Sequence, residues 1–127
     1  MKNNEKPSVL VVDDDRMMRE MLKLILHTDE YPLAGEAANG KNAIALCESH
    51  KPGLVLLDIN MPEMDGLQVL EEIRKVSPAT AVIMVSAEAT MDRVSEAIRK
   101  GAAGFVVKPL NAANVLEKIE NCFRKKR

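Results

Sequence analysis

Short apolar runs alternate with longer amphipathic segments five times along the chain. The runs cover residues 9–12, 33–37, 54–57, 81–85 and 104–107. Runs of this length, rich in β-branched side chains, read as strands buried on both faces, the mark of a parallel sheet. The second is the weakest, because it carries Gly35 and Glu36. Between and after the runs, apolar side chains recur every three or four residues, as on one buried helix face. The stripes are Met17, Met18, Met21, Leu22 and Ile25; Ala43, Ile44 and Cys47; Leu70, Ile73 and Val76; Met91, Val94 and Ile98; and Val115, Leu116, Ile119 and Phe123. Asn39, Thr90 and Asn111 stand at N-cap positions, Asp65 and Gln68 have capping-box spacing, and Gly101 follows the fourth stripe. Five βα units are too few for an eight-fold barrel. The pattern predicts an α/β fold: an open, doubly wound, five-stranded parallel sheet with helices on both faces.

All strands of such a sheet point one way, and ligands bind at the rim formed by their C-terminal ends. The polar residues follow that rim. Strand one ends in Asp13-Asp14-Asp15, strand three in Asp58 followed by Ile59-Asn60, strand four in Ser86 followed by Ala87-Glu88, and strand five in Lys108-Pro109. Strand two ends less distinctively, at Ala38-Asn39-Gly40. In the flavodoxin-like order 2-1-3-4-5, strands one and three are neighbours and their ends lie about 5 Å apart. Asp13, Asp14 and Asp58 then crowd together, which raises carboxyl pKa values and costs stability unless compensated. A bound divalent cation and the Lys108 ammonium are the two available compensations. Oxygen ligands without His or Cys favour Mg2+ or Mn2+ over zinc. A strand-end carboxylate beside a cation, a hydroxyl and a lysine suits phosphoryl transfer. The carboxylate attacks phosphorus, the cation and lysine offset charge, and Ser86 donates a hydrogen bond. Taken singly, Asp15 reads as a turn former or helix cap, and Lys108 as a surface lysine. Their joint placement at four strand ends is what points to function.

Composition narrows the partners. A length of 127 residues corresponds to one domain, expected to span the chain with its core at about residues 8–124. Eighteen basic against 19 acidic side chains, a net charge of −1, argue against a nucleic-acid coat or a membrane-surface polycation. Yet Asp13, Asp14, Asp15, Asp58, Glu63, Asp65 and Glu88 all fall on segments bordering the rim, so the near-neutral average conceals an acidic pole. The absence of Trp, with Tyr31, Phe105 and Phe123 as the only rings, leaves no stacking platform. Cys47, Cys122, His27 and His50 form no zinc spacing, and buried thiols in a reducing cytoplasm are expected. The polar N-terminus is followed by too short an apolar run for a signal peptide or membrane span, so a cytoplasmic location is expected. The eight methionines read as core filling. The tail Arg124-Lys125-Lys126-Arg127 reads as a solvated helix end, the alternatives being a nucleic-acid contact or the start of a linker.

At these residues the chain resembles the receiver domain of bacterial two-component response regulators, CheY-like in kind. The resemblance is carried by Val9-Leu10-Val11-Val12-Asp13-Asp14-Asp15 and by Leu54-Val55-Leu56-Leu57-Asp58-Ile59-Asn60-Met61-Pro62-Glu63-Met64-Asp65-Gly66. Val82-Ile83-Met84-Val85-Ser86-Ala87 and Gly101-Ala102-Ala103-Gly104-Phe105-Val106-Val107-Lys108-Pro109 complete it. It implies that Asp58 accepts a phosphoryl group from a phosphohistidine on a sensor histidine kinase or a histidine phosphotransfer protein. It implies Asp14 as a direct Mg2+ ligand, Asp13 acting largely through water, and Asp58 and the backbone carbonyl of Asn60 as further ligands. Ser86, Ala87 and Lys108 would contact the phosphoryl group, and the Lys108-Pro109 bond would be cis. Ser86 and Phe105 match the family's switch pair, with Phe where many members have Tyr; the bland alternative is that Phe105 is a core residue. Asn60 and Glu88 match positions that tune hydrolysis of the acyl phosphate, here toward a short-lived state.

The same resemblance implies a population-shift switch read out by a downstream protein on the face of helix four, strand five and helix five. It implies no enzyme activity beyond self-catalysed phosphoryl transfer and autodephosphorylation, no direct nucleic-acid or membrane partner, and a monomer or weak dimer. A stand-alone receiver is expected; the alternative is a receiver belonging to a larger regulator with a DNA-binding or enzymatic output domain. A phosphohydrolase of the haloacid-dehalogenase type needs a second acid two residues after the nucleophile, where this chain has Asn60; after strand one, Met17 is the wrong fifth residue. A docking module without chemistry would lack parts of the acidic pocket, and none is missing.

Overall fold

The computed structural model describes residues 6–124, so residues 125–127 of the basic tail lie outside the described residues. The strands are β1 (Val9–Val12), β2 (Leu33–Ala37), β3 (Leu54–Asp58), β4 (Ala81–Ser86) and β5 (Gly104–Val107). The helices are α1 (Arg16–Thr28), α2 (Gly40–His50), α3 (Gly66–Val76), α4 (Met91–Arg99) and α5 (Ala112–Arg124). The sheet has the order β2-β1-β3-β4-β5, with every pair parallel. This is the flavodoxin-like α/β fold predicted above.

Strand pleating divides the apolar runs between two cores. Leu10, Val12, Val55, Leu57, Val82 and Met84 meet residues of α2, α3 and α4, among them Cys47, Leu70 and Ala97. Their alternate neighbours Val9, Val11, Leu54, Leu56, Ile83 and Val85 meet Leu22, Ile25 and Leu26 of α1 and Val115 and Ile119 of α5. A sheet covered on both faces has no polar side to show, which is why the runs are apolar throughout. The helix starts form as expected. Asn39, Thr90 and Asn111 accept from the main-chain N–H groups of Asn42, Arg93 and Asn114, and Asp65 with Gln68 forms a full capping box.

Three expectations are corrected. β3 and β4 each run one residue further, so Asp58 and Ser86 are the last residues of their ladders. In α1 the buried residues are Leu22, Ile25 and Leu26, while Met17 is 71% exposed and Met21 is also exposed. Helix α1 starts at the rim and runs back along the sheet, so only its second half covers the core. In α4 only Ala97 is buried; Met91 is 84% exposed and Ile98 is exposed too. That nine-residue helix turns much of its apolar stripe away from the sheet, so core filling does not describe Met17, Met21 or Met91. Phe123 is likewise exposed, and Cys122 is half-buried where Cys47 is buried. No helix among the described residues is long and apolar enough to cross a membrane.

Candidate functional site

The sheet register builds the site. Val12 pairs with Leu57, and Asp58 pairs with Val85. The residues that follow Val12 and Leu57, Asp13 and Asp58, therefore stand level at the ends of adjacent strands. Both are buried, at 1% and 4% exposure, whereas Asp14 is exposed. Carboxylate oxygens of Asp13, Asp14 and Asp58 lie within 4.8 Å of one another. From just past the end of β5, Lys108 reaches across, its Nζ 3.2 Å from Asp13 Oδ2 and 3.4 Å from Asp58 Oδ1. The Lys108-Pro109 peptide is cis, as the family resemblance implied.

Electrostatics match the crowding. Burial, then the negative charge of Asp13, push the Asp58 carboxyl up to about 6, against the pull of Lys108 and of the Asn60 main-chain N–H. Burial works against the Lys108 charge, but Asp13 and Asp58 outweigh it and raise the lysine pKa above its ordinary value. One ammonium between two buried carboxylates, with a third beside them, leaves the cluster short of positive charge. The donor set is oxygen alone, without His or Cys, and so fits a hard cation such as Mg2+ or Mn2+.

The third aspartate of the run has a different task. Asp15 is the N-cap of α1, accepting from the Met17 N–H at 3.0 Å, and its own N–H donates to Asp13 Oδ1 at 2.9 Å. The helix-cap alternative therefore holds for Asp15. Ser86 is fully buried at the end of β4, and its Oγ accepts the Glu88 N–H at 3.0 Å, tying the hydroxyl to the β4–α4 loop. Its carbonyl accepts the Lys108 N–H at 2.9 Å, which fixes the main chain of the lysine to the strand that carries the serine. Asn60, Ala87 and Glu88 are exposed just beyond β3 and β4. Phe105 is half-buried, opposite Met84 in the β4–β5 ladder and packed on the α2–α3 core. His27 and His50 are exposed in the last turns of α1 and α2, away from the rim.

Two supports were not foreseen. The Gly66 N–H donates to Ile59 O at 2.8 Å, and a Cβ at Gly66 would sit 2.5 Å from Asp58 O. Only a residue without a side chain lets α3 start against the main chain of Asp58; the Asp-Gly pair at a helix start carried that signal. Arg19 Nη1 donates to the Asp13 carbonyl at 2.8 Å, a contact for which the chain offers no local pattern. A separate cleft of about 540 Å3 lies between α2 and the β3–α3 loop, lined by Lys41, Ile44, Glu63 and Met64 among others, and includes none of Asp13, Asp14 and Asp58.

The family profile of the response regulator receiver domain matches residues 9–120. The chemotaxis protein CheY of Listeria monocytogenes is 45% identical over 112 residues, 88% of this chain and 94% of that protein. The nitrate/nitrite response regulator NarL of Escherichia coli is 36% identical over 118 residues, 92% of this chain but 55% of its own length. Among solved structures, the CheX–CheY–BeF3–Mg2+ complex from Borrelia burgdorferi matches with a TM-score of 0.90 at 35% identity, covering 93% of this chain and 90% of the other.

Proposed function

The chain belongs to the response regulator receiver family, and from that premise we propose that Asp58 is its phosphoacceptor. The supporting observation is the meeting of Asp13, Asp14 and Asp58 within 4.8 Å, with Lys108 between the two buried carboxylates. The donor is a phosphohistidine on a sensor histidine kinase or a histidine phosphotransfer protein. A carboxylate oxygen of Asp58 attacks phosphorus, the P–N bond breaks, and the imidazole leaves and takes up a proton. Lys108 donates to a phosphoryl oxygen and offsets its charge. The Ala87 N–H is a second donor, and Ser86 exchanges its Glu88 contact for the phosphoryl group. Asp14 directly, Asp13 largely through water, and Asp58 and the Asn60 carbonyl would hold Mg2+ or Mn2+, which would supply further charge neutralisation. Asn60 and Glu88, both exposed at the rim, control access of the hydrolytic water.

Phosphorylation replaces the single charge of the Asp58 carboxylate with a phosphoryl group carrying close to two negative charges beside Ser86, and shifts the population toward an active state. Movement of Ser86 and Phe105 transmits that shift to the face of α4, β5 and α5. Met91, Ile98 and Val107 are exposed on those elements, in keeping with a protein partner there. The activity is self-catalysed phosphorylation and dephosphorylation in the cytoplasm, without turnover of an external substrate. A stand-alone receiver is the favoured organisation, because the match covers 94% of the Listeria CheY. The 55% coverage of NarL supports the alternative, a receiver within a longer regulator. The test is incubation with Mg2+ and a small radiolabelled acyl phosphate. Label is expected in the wild type and absent from Asp58→Asn; equal labelling of both contradicts the proposal.

A further inference from the structure

Arg19 lies in the first turn of α1, and its side chain turns back to the strand the chain has just left. Nη1 donates to the Asp13 carbonyl at 2.8 Å, and Nε donates to Glu36 Oε1 on β2, also at 2.8 Å. Glu36 is shared with Lys23, whose Nζ lies 2.7 Å from Oε2. Hydrogen bonds from Lys23 and Arg19 hold the Glu36 carboxyl below the ordinary carboxylate range. The guanidinium is thus anchored on one strand while it grips the end of the next, and its side chain is only 15% exposed.

The other polar atoms of Asp13 are engaged elsewhere. Its N–H donates to Ala37 O, Oδ1 accepts from Asp15, and Oδ2 accepts from Lys108. The carbonyl held by Arg19 belongs to the rigid peptide plane that joins Asp13 to Asp14. The Asp14 carboxylate has no hydrogen-bond or ion-pair partner among the described residues, so the main chain alone, through the direction of the Cα–Cβ bond, presents it to the site. We propose that Arg19 is a positioning residue for the divalent cation: by fixing the Asp13–Asp14 peptide plane, it aims the Asp14 carboxylate into the acidic site. This rests on the reading of Asp13, Asp14 and Asp58 as a Mg2+ site.

Charge and geometry predict opposite outcomes, which makes the role testable. A guanidinium near a cation site repels the cation, so removing it should tighten binding if charge alone acted. Loss of a group that orients a ligand weakens binding. The experiment is calorimetric titration of Mg2+ into the full chain, with thermal melts confirming that each variant is folded. Arg19→Gln is expected to weaken Mg2+ binding about 10-fold. Arg19→Lys keeps the charge but lacks the fork that spans Asp13 and Glu36, and is expected to weaken binding as well; it carries the test if Arg19→Gln does not fold. Lys23→Gln breaks the pair with Glu36 without touching Asp13, and is expected to bind Mg2+ as tightly as the wild type or slightly more so. Unchanged or tighter binding by the folded arginine variants overturns the proposal. A wild type that binds no Mg2+ overturns instead the cation reading on which it rests.

Discussion

Lys108 Nζ stands 3.4 Å from Asp58 Oδ1, although β4 separates the strands that carry them. The contact spans a strand because lysine has four methylenes, and because β4 ends in the small side chain of Ser86 rather than a bulky one. Removing the ammonium leaves Asp13 and Asp58 facing each other without an opposite charge. Lys108→Ala is expected to cost about 2–3 kcal/mol in metal-free urea unfolding, less than a fully buried pair because the lysine is partly exposed. Phosphorylation of Asp58 by a small acyl phosphate should slow by on the order of 100-fold or more, since a donor to the transition-state charge is lost. A wild-type rate in this variant would remove Lys108 from the mechanism.

Asp58 is expected to destabilise the metal-free protein at neutral pH. Its folded pKa of about 6 lies above the ordinary aspartate value. The native state therefore binds the proton more tightly than the unfolded chain does. The cost of ionisation is absent below the unfolded pKa, grows as pH rises through the interval to about 6, and is complete above it. At roughly 1.4 kcal/mol per unit, that cost is about 3 kcal/mol. Asp58→Asn should accordingly be more stable than the wild type by about 2–3 kcal/mol at pH near 7.5 in chelator, with little gain at pH near 4. Urea titrations at the two pH values check this, and an equal gain at both would show that ionisation is not the cause.

Asp14 should separate binding from folding. It is exposed and partnerless among the described residues, so Asp14→Asn is expected to leave metal-free stability within about 0.5 kcal/mol of the wild type. The stabilisation that saturating Mg2+ gives the wild type, about 2.7 kcal/mol at a hundred times Kd, should vanish in the variant. Thermal melts with and without Mg2+ measure both quantities. Retention of the full Mg2+ shift would exclude Asp14 as a ligand.

Gly66 is the structural neighbour on which the position of Asp58 depends. A Cβ there would lie 2.5 Å from Asp58 O and 2.6 Å from Ile59 Cα, both main-chain atoms that cannot swing aside. Gly66→Ala is expected to destabilise by about 2 kcal/mol and to slow phosphorylation, because relief requires moving the β3–α3 loop. Denaturant unfolding together with the phosphorylation rate tests this; a neutral effect on both would mean that the loop yields freely.

Much of this was legible from the chain, for identifiable reasons. Because both faces of the sheet are covered, β1, β3 and β4 are written in apolar residues throughout, and their ends show as abrupt changes to Asp13, Asp58 and Ser86. Those ends, in a parallel sheet of the order that puts β1 beside β3, bring the acidic residues together. Helical periodicity carries less. It shows that Met17, Met21, Met91 and Ile98 lie on apolar faces, yet not that those faces meet the sheet, and all four are exposed. The Arg19 contact depends on the rotational phase of α1 relative to the end of β1, which no local spacing records. Glu36, which interrupts the apolar pattern of β2, anchors that arginine.

In the proposed mechanism Asp58, and no other carboxylate of the cluster, carries the phosphoryl group. Treatment of the chain with a small acyl phosphate in Mg2+, followed by borohydride reduction and peptide mass spectrometry, tests it directly, because reduction of an aspartyl phosphate leaves homoserine at the modified position. The expected result is homoserine at position 58 alone, dependent on both donor and Mg2+. Homoserine at 13 or 14, or at none of the three positions, would contradict it.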